Sequence, residues 1–96
     1  LSGATLEKAV MNGINLTGAN LSGADLFGAF LTDANLSGAN LSNSFLNGSI
    51  LTDADLSSAN LTGATLHGAE VTGISTSNAT WCNTTTSDGE TDDSGC

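Results

Sequence analysis

The chain has no proline, no arginine and no tyrosine, and Lys8 is its one basic side chain among 96 residues. Three Phe and one Trp supply all of its aromatic content. Each shortage excludes something. With so few large side chains, a conventional globular core has too little bulk to form. With ten acids against that single lysine, a formal net charge of −9, there is no basic footprint for nucleic-acid phosphate. A polybasic segment for an anionic membrane surface is missing for the same reason. No run is long and apolar enough to cross a bilayer as a helix. There is no nucleophile–base pair, no phosphate-cradling loop between strand and helix, and no cofactor motif, so no enzymatic activity and no cofactor are expected.

What the chain has instead is repetition. Leu, Met11 or Val71 occupies every fifth position from Leu1 to Val71, fifteen slots in a row. Two residues before the slot sits a small residue, Ala in all but Ile14, Ser44 and Ser49. Two residues after it Gly dominates, as in Gly13, Gly18 and Gly23. A five-residue step moves about 140° round a helix, so the leucines would share no helical face. On one continuous strand the same step reverses face each time. A turn in every unit removes the conflict, and Gly, Asn and Asp tolerate the backbone angles it needs. Each unit is then one short side of a coil, with Leu and Ala facing inward.

This run resembles the pentapeptide-repeat family, whose units read Ala-(Asn/Asp)-Leu-X-X. The resemblance covers residues 1–75 and implies an all-β fold, a right-handed quadrilateral parallel β-helix with 20 residues per coil. Fifteen units make about four coils and a rod on the order of 20 Å long at ordinary strand spacing. The expected core stack is Leu16, Leu21, Leu26, Leu31, Leu36, Leu41, Leu46, Leu51, Leu56, Leu61 and Leu66. Stacked repeats bury one another's faces, which replaces the missing globular core.

Residues 20 apart then form outward columns. Val10, Phe30 and Ile50 share one column, ending at Glu70, and Phe27 and Phe45 lie on the preceding side. These five are read as a lateral interface rather than scattered exposed hydrophobes. The other two sides carry Asn15, Asn35 and Asp55, and Asn20, Asn40 and Asn60, each followed two residues later by Ser or Thr. Such ladders are read as solvated groups that bond their own turns. Their Asn-Leu-Ser/Thr triplets also match the N-glycan acceptor pattern, so a glycan-binding or glycosylated surface is an alternative. Asp33 and Asp53 share a column and are read as turn residues standing where Gly usually does. His67 lacks partners at ligand spacing, so no metal site is expected.

The register fades after Val71. Thr76 breaks it, while Ala79 and Trp81 fall back into phase, and Trp81 is expected to cap the open end of the core. Residues 76–96 are expected to be an irregular acidic capping tail. Cys82 and Cys96 both lie in it and suggest an oxidising compartment. Paired with each other they would close a loop worth about 3 kcal/mol; pairing between chains stays open. The end from Ala79 to Thr85 is similar to the Trp/Cys terminus of some bacterial, exported pentapeptide-repeat proteins. Asp88-Gly89-Glu90-Thr91-Asp92-Asp93 does not match an EF-hand loop and reads as an acidic tail. The chain enters the repeat at Leu1 with no leader in front, which fits a mature secreted, extracellular or periplasmic product. It also leaves the first coil uncapped, a strand edge open to another chain.

The expected function is that of a non-enzymatic structural or assembly module, a rigid secreted β-solenoid. It would self-associate laterally or end to end, with filaments as one outcome, or bind another protein. Some family members resemble DNA in shape and charge and bind type II topoisomerases, which is the alternative the resemblance implies.

Overall fold

The computed structural model describes all 96 residues, Leu1–Cys96. The backbone winds as a four-sided right-handed coil. Thirteen parallel bridges join residues 20 apart, from Thr5 with Asp25 to Thr65 with Thr85. Each bridge residue stands just before a central Leu. We number the faces by their central residues: face one carries Leu6, Leu26, Leu46 and Leu66; face two Met11, Leu31, Leu51 and Val71; face three Leu16, Leu36, Leu56 and Thr76; face four Leu1, Leu21, Leu41, Leu61 and Trp81.

Every unit closes with a turn in which the small residue donates its amide to the central carbonyl, as Ala24 does to Leu21 at 3.0 Å. The residue before the small one has positive φ. Glycine fills that position most often, and Lys8, Asp33, Asn43, Asp53, Ser58, Asn78 and Asn83 adopt the same conformation. Asp33 and Asp53 are therefore turn residues in a glycine position, as the repeat predicts.

The interior is built as the repeat requires. Leu21 to Leu66 at every fifth residue are buried, together with the alanines between them. Leu16 differs: it packs against the core but is only partly buried, like Leu6 and Met11. These three lie in the first circuit, which has no neighbour beneath it, and Leu1 at its start is 61% exposed. Ser44 and Ser49 stand in the small-residue position without penalty, because their hydroxyls donate to the carbonyls of Leu41 and Leu46 at 2.7 Å.

The coil does not stop near residue 75. Ser75, Thr80 and Thr85 still bridge Asp55, Asn60 and Thr65, and Asn78 and Asn83 supply the positive φ of two more turns. Thr84 fills a small-residue position, fully buried, with its hydroxyl donating to Leu61 O at 2.7 Å. The expectation of an irregular segment from residue 76 is thus corrected: the turn and small-residue positions hold the path after the apolar centres end. Beyond it, β1 (Thr84–Thr85) pairs antiparallel with β2 (Thr91–Asp92) in a small hairpin.

Cys82 and Cys96 are joined by a disulfide. Beside it the Gly95 amide donates to Trp81 O at 2.7 Å, and the approach is so close that a β carbon at Gly95 would stand 2.9 Å from the Trp81 amide nitrogen. Trp81 packs on the core and stays partly exposed. It covers its own side of the end, while a cleft of about 250 Å³ remains beside it, lined by Leu66, Val71, Ile74 and Thr76 among others. One indole does not span a four-sided cross-section, so Trp81 is a partial cap.

Candidate interaction surfaces

A filled rod offers faces and ends, and the faces differ in one backbone detail. Within a unit the ladder between coils and the turn bond together use four of the five amides. At Leu21, for example, Leu21, Gly23, Ala24 and Asp25 donate to Asn40, Ser42, Leu21 and Ala4. The amide just after the central Leu is left over. On faces three and four the Asn or Asp before the Leu takes it: Oδ1 of Asn15, Asn20, Asn35, Asn40, Asp55 and Asn60 accepts from the residue two positions on, at 2.9–3.1 Å. The same oxygen accepts the Ser or Thr hydroxyl at 2.6–2.8 Å. The polar ladders are fasteners of their own turns. At Asp55 the Ser57 hydroxyl, then the Ser57 amide, holds the carboxyl below its ordinary value.

Val10, Phe30, Phe45 and Ile50 occupy the fastener position on faces one and two and have no oxygen to offer. No side chain accepts from the amides of Asn12, Asn47 or Thr52, and only Thr32 is served, by Asn12 Oδ1 from the coil below at 3.0 Å. Val10 is 77% exposed, Phe45 53%, Phe27 47% and Phe30 38%. The bridges stack Val10, Phe30 and Ile50 in one line. The sequence-derived edge is therefore one continuous surface across two faces, with Ile50 its least exposed member.

Two residues of that edge also border a shallow depression on face one, lined by Glu7, Asp25, Phe27, Phe45 and Asn47. The carboxylates and Asn47 were missed as site residues. The signal was present, since Asp25 stacks under Phe45 and Glu7 lies 20 residues before Phe27.

The tail acids are engaged in the hairpin. Asp88 Oδ1 accepts the Thr86 hydroxyl and the Glu90 amide, Asp92 Oδ1 the Ser94 amide, and Asp93 Oδ1 the Asn83 amide. Bonds from Thr86 and then Glu90 hold the Asp88 carboxyl low, and the Ser94 side chain and amide do the same for Asp92. Cys82, Asp93 and Cys96 cluster, but the disulfide consumes both thiols. His67 packs near Gly89, within 3.5 Å of where a β carbon would stand, a structural contact with the tail.

A four-sided parallel β-solenoid with a turn every five residues defines the class. The family model of pentapeptide repeats matches residues 1–33 and 29–68 in 8 copies. This chain belongs to the pentapeptide-repeat family. Among solved structures it is similar to a pentapeptide repeat protein of the Arabidopsis thaliana thylakoid lumen, with 35% identity and a TM-score of 0.84, covering 88% of this chain and 59% of that one. It is similar to HetL, involved in heterocyst differentiation regulation in the cyanobacterium Nostoc sp. strain PCC 7120, with 30% identity and a TM-score of 0.63, covering 96% and 53%. A trypsin-treated form of QnrB1, a plasmid-mediated fluoroquinolone resistance protein, matches with 30% identity and a TM-score of 0.55, covering 88% and 43%. The chain thus spans between two fifths and three fifths of the length of these relatives. No curated protein matches it.

Proposed function

We propose that this chain is a non-enzymatic interaction module, a rigid solenoid that associates laterally with a second copy of itself through face two. One observation carries the reading: Val10, Phe30 and Ile50 stand where faces three and four place the turn-fastening Asn or Asp. The chain forgoes a local hydrogen bond, worth about 0.5–1.5 kcal/mol each, at successive coils of one line. An exposed apolar line obtained at that local cost fits an interface better than solvent.

Face two also suits a like-charged partner. Beside the apolar line run Asn12, Thr32, Thr52 and Thr72, uncharged throughout. Two copies can meet there with only Glu70 and the corner residues Asp33 and Asp53 near the contact. The acids of the coils, Glu7, Asp25, Asp33, Asp53, Asp55 and Glu70, are spread over three faces rather than gathered in one stripe. That distribution gives no support to a DNA-like surface aimed at a topoisomerase.

The disulfide, together with the thylakoid-lumen origin of one relative, supports an oxidising compartment such as the periplasm, a lumen or the cell exterior. Sedimentation equilibrium tests the main reading. The wild-type chain is expected to form dimers or larger species, and Val10→Asn with Ile50→Asn to shift it to monomer with the coil intact. Monomeric wild-type protein across the measurable concentration range overturns it.

A further inference from the structure

We infer that the depression on face one is a binding site for arginine side chains of a partner protein, with Asp25 and Glu7 as the anionic anchors and Phe27 and Phe45 as the stacking platforms. The inference rests on the interaction-module reading but uses a different face.

The arrangement repeats one step twice. In the column before the central Leu, Asp25 lies directly below Phe45, a bridged pair. In the column after it, Glu7 lies 20 residues, one coil, below Phe27. Each ring therefore stands about 4.8 Å along the rod from a carboxylate, and the two steps are offset by one coil. All four side chains, with Asn47, line one open depression. Both rings are half-exposed, at 47% and 53%, so each has a face free to stack.

The polar groups have capacity to spare. Asp25 spends Oδ1 on the Phe27 amide at 3.1 Å, which braces the carboxylate beside the ring and leaves its second oxygen free. Glu7 accepts no hydrogen bond within the molecule. Asn47 uses Oδ1 on the Thr65 hydroxyl and so retains its amide donor. Lys8, next to Glu7, forms no ion pair, and its stem lies 3.3 Å from where a β carbon of Gly28 would stand.

The pairing of aromatic face with carboxylate selects the ligand. An aliphatic side chain would cover the rings but bury two carboxylates without partners, which is costly. A second copy of this chain brings one lysine and ten acids to an acidic rim, so self-association is repelled there. A guanidinium satisfies both halves, since it stacks on an aromatic ring and bonds a carboxylate through its fork of N–H groups. Lysine offers a point charge without the flat surface. The net charge of −9 draws such a cationic segment in from a distance.

The test is titration with a short capped peptide carrying two arginines in a glycine–serine background, followed by NMR of the phenylalanine ring signals. Its citrulline counterpart is the control. Saturable shifts at Phe27 and Phe45 are expected with arginine and none with citrulline. Asp25→Asn, Phe45→Ala and Phe45→Leu, the last keeping apolar bulk without a π face, should each weaken binding at least fivefold. Asp33→Asn, the same charge change on another face, should leave it within twofold. Absence of ring shifts, equal response to citrulline, or equal loss from Asp33→Asn and Asp25→Asn overturns the site. Val10→Asn with Ile50→Asn should leave peptide binding unchanged, so loss of self-association and loss of this site are read separately.

Discussion

The carboxylate of Asp53 reaches over Gly73 in the next coil, so close that a β carbon at Gly73 would overlap Asp53 Oδ1. Asn43 makes the same approach to Gly63. A polar residue in the positive-φ turn position therefore constrains the residue one circuit later.

Gly73→Ala carries two penalties, left-handed strain of about 1–2 kcal/mol and the collision with Asp53. Gly13→Ala carries the strain alone, since open space surrounds it. Denaturant unfolding of Gly73→Ala should show the larger loss, and the double variant with Asp53→Gly should recover the excess. Equal losses in the two backgrounds would show that the carboxylate swings clear.

Asp55 makes the bonds that Asn35, Asn40 and Asn60 make in other units, but its acceptor is titratable. Asp55, Asp88 and Asp92 all lie below their ordinary value near 3.8. Their contribution is complete above that value and is lost as pH falls through the lower folded-state values. Melting temperature followed by circular dichroism should hold steady at neutral pH and drop below about pH 4. Asp55→Asn should melt near the wild-type temperature at pH 7 and lose less on acidification.

Val10→Asn and Ile50→Asn install an acceptor for the unserved amides of Asn12 and Thr52. Each should leave monomer stability unchanged or raise it by up to about 1 kcal/mol, the net worth of one hydrogen bond. Chemical unfolding at concentrations where the wild type is dissociated checks this. A loss beyond about 1 kcal/mol would mean that these side chains are packed structurally, since surface substitutions away from packing change little.

Leu46→Ala empties one fully buried position between the second and fourth circuits. A cost of about 3–5 kcal/mol is expected from lost burial and the residual cavity. Ser49→Ala, which installs the residue found at most equivalent positions, should cost less than about 1 kcal/mol.

Reduction of Cys82–Cys96, or Cys96→Ser, removes a constraint worth up to about 3 kcal/mol to the tail. The amides of Leu66 and Gly68 donate to Thr85 and Ser87, so their hydrogen exchange should quicken. Leu36 and Leu41, protected by Asp55 and Asn60, should exchange as before. Uniform acceleration across the chain would make the tail part of one cooperative unit rather than a local cover.

The coil was legible in the sequence because Leu and Ala recur without insertion, and the lateral edge followed from adding 20 to each position. The last circuit was obscured. Thr76 and Thr86 do not look like core centres, although Asn78, Asn83 and Thr84 kept the turn and small-residue positions in phase. A period read from apolar residues alone ends too early where turn residues still carry it. The hairpin was hidden for another reason: β1 and β2 have two residues each, too short for alternation to register. The face-one depression needed attention to acids beside aromatics, and the large rings drew the eye from Glu7 and Asp25.

The bridges that tie each residue to the one 20 places on also govern how such a chain tolerates change in length. Adding a whole circuit would lengthen the rod by about 4.8 Å and leave every column in line. Adding a single unit of five would turn all later columns by a quarter, moving Phe45 and Ile50 onto different walls from Asp25 and Phe30. Growth by twenties preserves what the surface presents; growth by fives scrambles it.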